Sequence, residues 1–253
     1  MSENENISSV LIEERRFEPS TAFSSQARIG SMADYQALRA EAEADHEGFW
    51  AKRAKEELDW ETPFTQTLDS SRAPHYAWFT DGRLNVSYNC LDRNLEKNGD
   101  KVAIRFEGEK GDTKNYTYRE LHAEVSQFAN ALKARGIGKG DRVVIYMPMV
   151  AEAVIAMQAC ARIGAIHSVV FGGFSSEALK DRIEDAGAKM LITADGGNRA
   201  GRVVELKSAA DAALKNGCAS IETVIVLQRT NHGVSMQDGR DVWWHDAVAG
   251  QST

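Results

Sequence analysis

The chain has 253 residues, of which 43% are hydrophobic, so it is long enough to bury a substantial core. Its 37 acidic residues outnumber its 30 basic ones, and the net charge of −7 argues against a nucleic-acid or anionic-membrane partner, although it allows a local basic patch. No segment approaches the ~20 apolar residues of a membrane span, and the polar, acidic start lacks the pattern of a secretory signal. We therefore expect a soluble, cytoplasmic protein.

The cysteines predict neither a disulfide framework nor a metal site. Cys90, Cys160 and Cys218 are odd in number, far apart and without close Cys/His spacing. We expect reduced, buried thiols.

Residues 1–75 have the composition of a helical N-terminal extension. A Ser31 to Leu58 stretch rich in Ala, Leu and Glu starts with a capping-box-like pattern and is expected to break near Gly48. Four aromatic residues are interpreted as apolar anchors, with an aromatic ligand cage as the alternative: Trp50, Trp60, Phe64 and Trp78.

From Val102 onward, β-branched runs alternate with amphipathic helical segments, which is the pattern of βα units. The predicted strands are Val102–Phe106, Arg142–Met147, Ile166–Val170, Met190–Thr193 and Ile221–Leu227. The predicted helices run from Thr117 to Gly136, from a point after the stop at Pro148 to about Ile163, from Ser175 to near Gly187 and from Val203 to Lys215. Right-handed crossovers between such strands predict an α/β fold, a largely parallel sheet covered by helices on both faces.

Ligands of such sheets bind beyond the carboxyl ends of the strands. Three predicted loops lie there, namely residues 147–149, 171–174 and 195–202. We expect any binding site at this edge.

The glycine-rich run in the third loop is only a partial phosphate motif. Gly196 and Gly201 have P-loop spacing, but Arg202 and Val203 stand where Lys and Ser or Thr are required, and the dinucleotide fingerprint also fails. A loop that opens a helix and carries Arg199 and Arg202 suits an anion. The alternative is a tight turn with left-handed backbone and solvated arginines.

The run Phe171-Gly172-Gly173-Phe174 follows a predicted strand, but Glu177 breaks the pattern of a nucleophile elbow. Paired glycines allow a ligand close to the backbone, and phenylalanine rings offer a stacking face. The alternative is a turn that tucks the rings into the core, which we expect for Phe174. No residue pattern indicates catalysis or metal ligation, so the predicted catalytic and metal sets are empty.

Five short motifs occur in the same order as in acetyl-CoA synthetases, the AMP-forming acetate–CoA ligases of the adenylate-forming superfamily. They are Tyr88–Asp92, Gly140–Val143, Tyr146–Met149, His167–Phe174 and Trp244–Asp246. Together they resemble the amino-terminal region of that family, and residues 76–253 then correspond to the first part of its large domain. The first and fourth motifs point to the acetyl and propionyl branch.

The resemblance implies a two-step reaction in which acetate and Mg·ATP form acetyl-adenylate, and the CoA thiol then displaces AMP. The family's Ser/Thr/Gly-rich phosphate loop has no counterpart in this sequence, so we expect ATP and Mg²⁺ to bind only in a longer chain and this chain alone to be inactive. Its partners would be acetate, ATP, CoA and the remainder of its own chain. The residues that the resemblance assigns to the nucleotide end of CoA are Phe171, Gly172, Gly173, Arg199 and Arg202.

Other functions stay open. The same residues fit a propionate–CoA ligase, since residues that would size the acyl pocket are not among those matched. They also fit a non-catalytic module that binds CoA or another phosphorylated ligand, or a structural fragment that binds nothing.

Overall fold

The computed structural model describes residues 17–215 and 217–253, and the chain divides into two compact units. One unit comprises Met1–Leu58 and Phe64–Thr80, of which residues 17 onward are described. The other comprises Asp59–Pro63 and Asp81–Thr253. The domain boundary expected near residue 75 stays a prediction.

The first unit is mainly helical. Its elements are α1 (Thr21–Ser24), α2 (Met32–Ala44), α3 (His46–Glu57), β1 (Leu68–Asp69) and β2 (Ala77–Trp78). The predicted break near Gly48 is present but lies at Asp45, which separates α2 from α3. An Asp45 carboxylate oxygen accepts the Gly48 N–H at 2.9 Å, which caps α3 and places Gly48 inside it.

The aromatic residues of this unit contact one another in tilted and edge-on pairs. Phe64 is buried, with its ring centroid 4.6 Å from that of Phe79. His46 lies between Trp50 and Trp78, at centroid distances of 6.3 and 5.6 Å. Both of these tryptophans keep substantial exposure, whereas Phe64 has the burial expected of an anchor, and Trp60, in the other unit, is partly buried.

The second unit contains the βα repeats. Its helices are α4 (Val86–Cys90), α5 (Leu95–Asn98), α6 (Tyr118–Ala134), α7 (Ala151–Ile163), α8 (Ser176–Ala186), α9 (Leu206–Lys215) and α10 (Trp244–Val248). Its strands are β3 (Val102–Glu107), β4 (Thr113–Thr117), β5 (Arg142–Met147), β6 (Ile166–Phe171), β7 (Met190–Ala194), β8 (Gly197–Arg199), β9 (Arg202–Val204), β10 (Thr223–Leu227) and β11 (Asp241–Trp243). Within the described residues, no helix is both long enough and apolar enough to cross a bilayer.

Five strands form a parallel sheet in the order β11–β10–β7–β5–β6, which confirms the predicted α/β fold. The sequence did not reveal β11, which follows a polar stretch. β11 pairs with β10, the strand that was expected to be the last in the chain. At the other end of the strand order, β6 forms one edge of the sheet. β3 and β4 pair separately as an antiparallel hairpin.

Each face of the sheet has its own apolar core. Alternate residues of β5 divide between the faces: Val143 and Ile145 pack with α6, α7 and α10, whereas Val144 packs with α8 and α9. On the first face the Phe128 and Trp244 rings stack at a centroid distance of 3.8 Å, which joins α6 to α10. Both faces are thus covered by helices, as expected for parallel strands.

The start of α6 is as predicted. Thr117 and Glu120 form a reciprocal capping box, and the predicted apolar face of the helix is buried. The buried residues include Leu121, Val125, Phe128, Ala129 and Leu132.

The motif Tyr88–Asp92 attaches its segment to the helical layer. Arg162 on α7 donates two hydrogen bonds of 2.7 Å to the Asp92 carboxylate, and His122 on α6 lies 3.2 Å from the same group. Asn89 exchanges two hydrogen bonds with the backbone of Asp59. The motif that indicated the branch of the family therefore has a packing role here.

The Asp92 carboxyl group should make stability depend on pH. Burial acts to raise the pKa of Asp92, but the hydrogen bonds and charge of Arg162, helped by His122, outweigh it and hold the pKa below its ordinary value. A carboxyl group whose pKa is lowered by folding stabilises the fold at pH values above its ordinary pKa. This stabilisation is lost as the pH falls through the lowered, folded-state pKa.

We expect Asp92→Asn to reduce the free energy of unfolding at pH 7 by about 1–3 kcal/mol, because Arg162 loses a charged acceptor. Urea denaturation at a series of pH values should show the difference from wild type shrinking as the pH falls through the Asp92 pKa. Asp181→Asn is the matched control, since Asp181 is exposed and its side chain has no hydrogen bond or ion pair among the described residues. An undiminished difference at acid pH would contradict the assignment to charge.

Candidate functional site

Three loops meet at the carboxyl edge of the sheet because glycines let them approach. A Cβ added to Gly172 would lie 2.6 Å from the carbonyl oxygen of Met147, and one added to Gly197 would lie 2.7 Å from Cβ of Pro148. Neither distance is tolerable, so these positions require glycine. The three loops expected to carry ligand groups are thus brought together.

A cavity of about 450 Å³ opens between these loops and α7. Most of its lining is apolar and comes from β5, β6 and α7, including Ile145, Met147, Val154, Met157, Val169 and Phe171. Charged groups from other segments also line it, namely Glu107, Glu109, Arg199 and Arg229. Of the predicted site residues, Phe171, Gly172 and Arg199 line this cavity, whereas Gly173 and Arg202 do not.

Phe171 and Phe174 both face solvent, so the expectation that Phe174 is tucked into the core is wrong. They are 49% and 43% exposed, and their rings meet edge-on at 5.8 Å. The guanidinium of Arg199 lies 5.0 Å above the Phe171 ring, in a cation–π contact. A Cβ on Gly173 would lie 2.9 Å from Nη1 of Arg199, so Gly173 leaves room for this arrangement.

Tyr146 on β5 anchors the loop that contains the Phe171 and Phe174 rings. Its hydroxyl donates a 2.8 Å hydrogen bond to the carbonyl oxygen of Phe174. Burial raises the pKa of Tyr146, which keeps the hydroxyl in its donating form.

The glycine-rich run does not open a helix, contrary to the sequence prediction. Residues 197–204 form the β8–β9 hairpin, and α9 begins only at Leu206. Ala200 and Gly201 occupy the turn with φ of 50° and 73°, as in the primed turns that join tightly paired strands. The run is therefore the tight left-handed turn that was the alternative interpretation, now built into a hairpin.

The hairpin places Arg199 and Arg202 side by side. They are directly paired across the two strands, so both side chains leave the same face. Both are exposed, and neither guanidinium has a carboxylate or hydrogen-bond partner in residues 17–215 and 217–253. Two like charges directly opposite each other are unfavourable without an anion between them.

Asp195, which sequence reasoning did not single out, anchors the base of the hairpin. It is fully buried, and its carboxylate accepts backbone N–H groups from Gly196, Arg229, Thr230 and His232 at 2.7 to 3.2 Å. One carboxylate thereby fixes both the start of the β8–β9 hairpin and the loop after β10. Its position directly after a buried strand was the only available signal in the sequence.

Comparison with known proteins decides the family. Residues 91–248, more than half of the chain, match the family described as AMP-binding enzyme. The chain belongs to the AMP-binding enzyme family. Within this family the first part of the chain adds a second match, since residues 35–90 fit the family described as acetyl-coenzyme A synthetase N-terminus.

Relatives in the AMP-binding enzyme family cover nearly all of this chain. Acetyl-coenzyme A synthetase of Methylobacillus flagellatus is 55% identical over 248 residues, which are 98% of this chain and 38% of the relative. The corresponding proteins of Thiobacillus denitrificans and Cupriavidus necator are 57% and 58% identical over 97% of this chain, and over 38% and 37% of their own lengths. The resemblance to acetyl-CoA synthetases is confirmed, and this chain spans about 38% of the length of these relatives.

We expect Gly172→Ala to destabilise this member of the AMP-binding enzyme family by about 1–3 kcal/mol, the usual cost of overpacking. The added Cβ must displace the backbone of Met147, because the atom that it would meet is the Met147 carbonyl oxygen, which cannot move by a side-chain rotation. Guanidinium denaturation would measure the change. The matched control is Gly233→Ala, since a Cβ there meets nothing within 4 Å, and an equal loss in both variants would refute the close-approach argument.

Proposed function

We propose that this chain is the amino-terminal region of an AMP-forming acetate–CoA ligase and that its β8–β9 hairpin binds the phosphorylated nucleotide end of CoA. The observation that carries the proposal is the pair of unpartnered arginines, Arg199 and Arg202, on one face of the hairpin. The identity of 55–58% to acetyl-coenzyme A synthetases supports the choice of reaction.

The chemistry of the hairpin face suits a phosphate monoester. Guanidinium groups form charge-assisted, fork-shaped hydrogen bonds to phosphate oxygens, and two of them would match the charge of a dianion. Phe171 and the Gly172-Gly173 backbone lie next to Arg199, and the exposed Phe171 ring suits stacking on an adenosine. These five residues form the proposed CoA contact.

The remaining substrates belong to the proposal for the whole protein. Acetate would attack the α-phosphate of ATP to form acetyl-adenylate and pyrophosphate, and the CoA thiol would then displace AMP. The described residues bring together no group of three or more His, Cys, Asp or Glu side chains of the kind that holds a metal ion. We assign ATP and Mg²⁺ to parts of the longer relatives that this chain does not match, because the family's Ser/Thr/Gly-rich phosphate loop has no counterpart in this sequence.

A cytoplasmic location is part of the same proposal. Cys90, Cys160 and Cys218 are all free thiols, which suits a reducing compartment. Cys90 is exposed, so the expectation of burial is wrong for that residue. Burial raises the pKa of the Cys160 thiol to about 12, which leaves it without nucleophilic character.

Replacing either arginine should weaken CoA binding. We expect Arg199→Ala or Arg202→Ala to raise the dissociation constant for CoA about ten- to hundredfold, since each loses a charge-assisted contact. Calorimetric titration of this chain with CoA would measure it. Arg182→Ala is the matched control. Its guanidinium lies over the ring of Phe174, much as that of Arg199 lies over Phe171, but Arg182 is not on the hairpin.

Dephospho-CoA makes the test specific for the phosphate. It should bind the wild-type chain about as weakly as CoA binds the variants, with little further loss in the variants. In the complete enzyme, the same substitutions should raise the KM for CoA and leave acetate-dependent exchange of pyrophosphate into ATP unchanged. Normal CoA affinity in both variants, or an equal loss of exchange, would show that the arginines are structural.

The same experiments separate the alternatives. A complete protein that binds CoA but catalyses no acetate-dependent exchange would be a CoA-binding module. Faster exchange with propionate than with acetate would identify the propionate–CoA ligase.

A further inference from the structure

A hydrogen bond joins the hairpin that carries the two arginines to a distant part of the chain. The Glu109 carboxylate, in the turn between β3 and β4, accepts the Gly201 backbone N–H at 2.6 Å. Gly201 is one of the two residues between Arg199 and Arg202. The contact therefore acts at the point that sets the relative position of both guanidinium groups.

The β8–β9 turn needs such external support. Ala200 has a φ of 50°, in the left-handed region that a residue with a Cβ rarely occupies. The flanking strands are only three residues long, so few ladder hydrogen bonds hold the turn. Unfavourable backbone conformations persist where surrounding contacts over-determine them, and the Glu109 carboxylate supplies such a contact.

The β3–β4 turn is itself fixed, so it can serve as a support. Asp112 forms a 2.7 Å ion pair with Arg229, whose guanidinium also lies 5.3 Å above the Phe106 ring. The Arg229 N–H in turn binds the buried Asp195 carboxylate. Glu109 is thus presented to the hairpin from a turn that is tied back to the same anchor as the base of the hairpin.

Glu109 does not act as a competing anion for the arginines. Within the described residues it forms no ion pair with Arg199 or Arg202, and its carboxylate instead accepts a backbone N–H between them. A carboxylate engaged in this way constrains the turn while leaving both guanidinium groups available.

We propose that Glu109 is a positioning residue for the phosphate-binding hairpin, whose carboxylate fixes the Ala200-Gly201 turn so that Arg199 and Arg202 face one phosphate. This inference rests on the proposed function, and it predicts that loss of the acceptor oxygen, rather than loss of charge, impairs CoA binding.

The test compares three variants of this chain. Glu109→Ala removes the acceptor, Glu109→Gln keeps an acceptor oxygen without the charge, and Asp181→Ala removes an exposed carboxylate that does not line the cavity and has no side-chain partner among the described residues. We expect Glu109→Ala to raise the dissociation constant for CoA about three- to tenfold. Glu109→Gln and Asp181→Ala should both bind CoA about as well as wild type.

Hydrogen exchange of the Gly201 amide, followed by NMR, is the second measurement. Exchange should accelerate in Glu109→Ala and stay near the wild-type rate in Glu109→Gln. Faster exchange with unchanged CoA affinity would overturn the positioning role and leave a purely structural contact. Tighter CoA binding in both Glu109 variants would overturn it in favour of simple charge repulsion.

Failure of the proposed function would look different. A wild-type chain that does not bind CoA would overturn the phosphate site and this inference together. Unchanged Gly201 exchange in Glu109→Ala, with normal arginine dependence of CoA binding, would overturn the inference alone. Thermal melts of all variants would exclude global unfolding as the cause.

Discussion

The buried carboxylate of Asp195 organises the edge of the sheet at which the candidate ligand groups lie. Four backbone N–H groups from two segments converge on it, and a charged acceptor with several donors is stronger than neutral hydrogen bonds of the same number. Because Asp195 follows β7 directly, its hydrogen bonds fix the β8–β9 hairpin and the loop after β10 relative to the central sheet. The arginines therefore stand on a fixed base although they are themselves exposed.

Glycine complements this anchor by removing bulk where the loops meet. Gly172 and Gly197 allow backbone segments to touch, and Gly173 leaves space for the Arg199 guanidinium beside Phe171. The result is a small positive surface on a protein whose net charge is −7. The net negative charge argues against a large polyanion as partner. It does not argue against a single phosphate, because two guanidinium groups without a carboxylate partner are enough to bind one.

Local signals made much of the fold predictable. The capping box at Thr117, and the glycine that closes α7 at Gly164, mark helix ends by chemistry within a few residues. The β8–β9 hairpin was misread because its turn is Ala-Gly, whereas the familiar sequence signal for a primed turn is Asn-Gly or Asp-Gly. β11 was missed because three residues are too few to display a periodic pattern.

The site was predictable only in part, for a related reason. Its glycines and arginines are visible as a pattern, and the resemblance gave them a ligand. The contacts that hold them, such as the Glu109 carboxylate on Gly201 and the Asp195 carboxylate on the loop after β10, join positions far apart in the chain. Spacing within a motif carries no information about such contacts, because tertiary structure alone creates them.

The stacking of Trp244 on Phe128 has a consequence for how the protein comes to be folded. These rings are more than a hundred positions apart, so their contact closes a long loop and must wait for non-local order. α6 carries the signals to start early, yet part of its apolar face has no cover until α10 arrives. During synthesis Phe128 cannot meet Trp244 until residue 244 has left the ribosome, so burial of this part of the α6 face must come late.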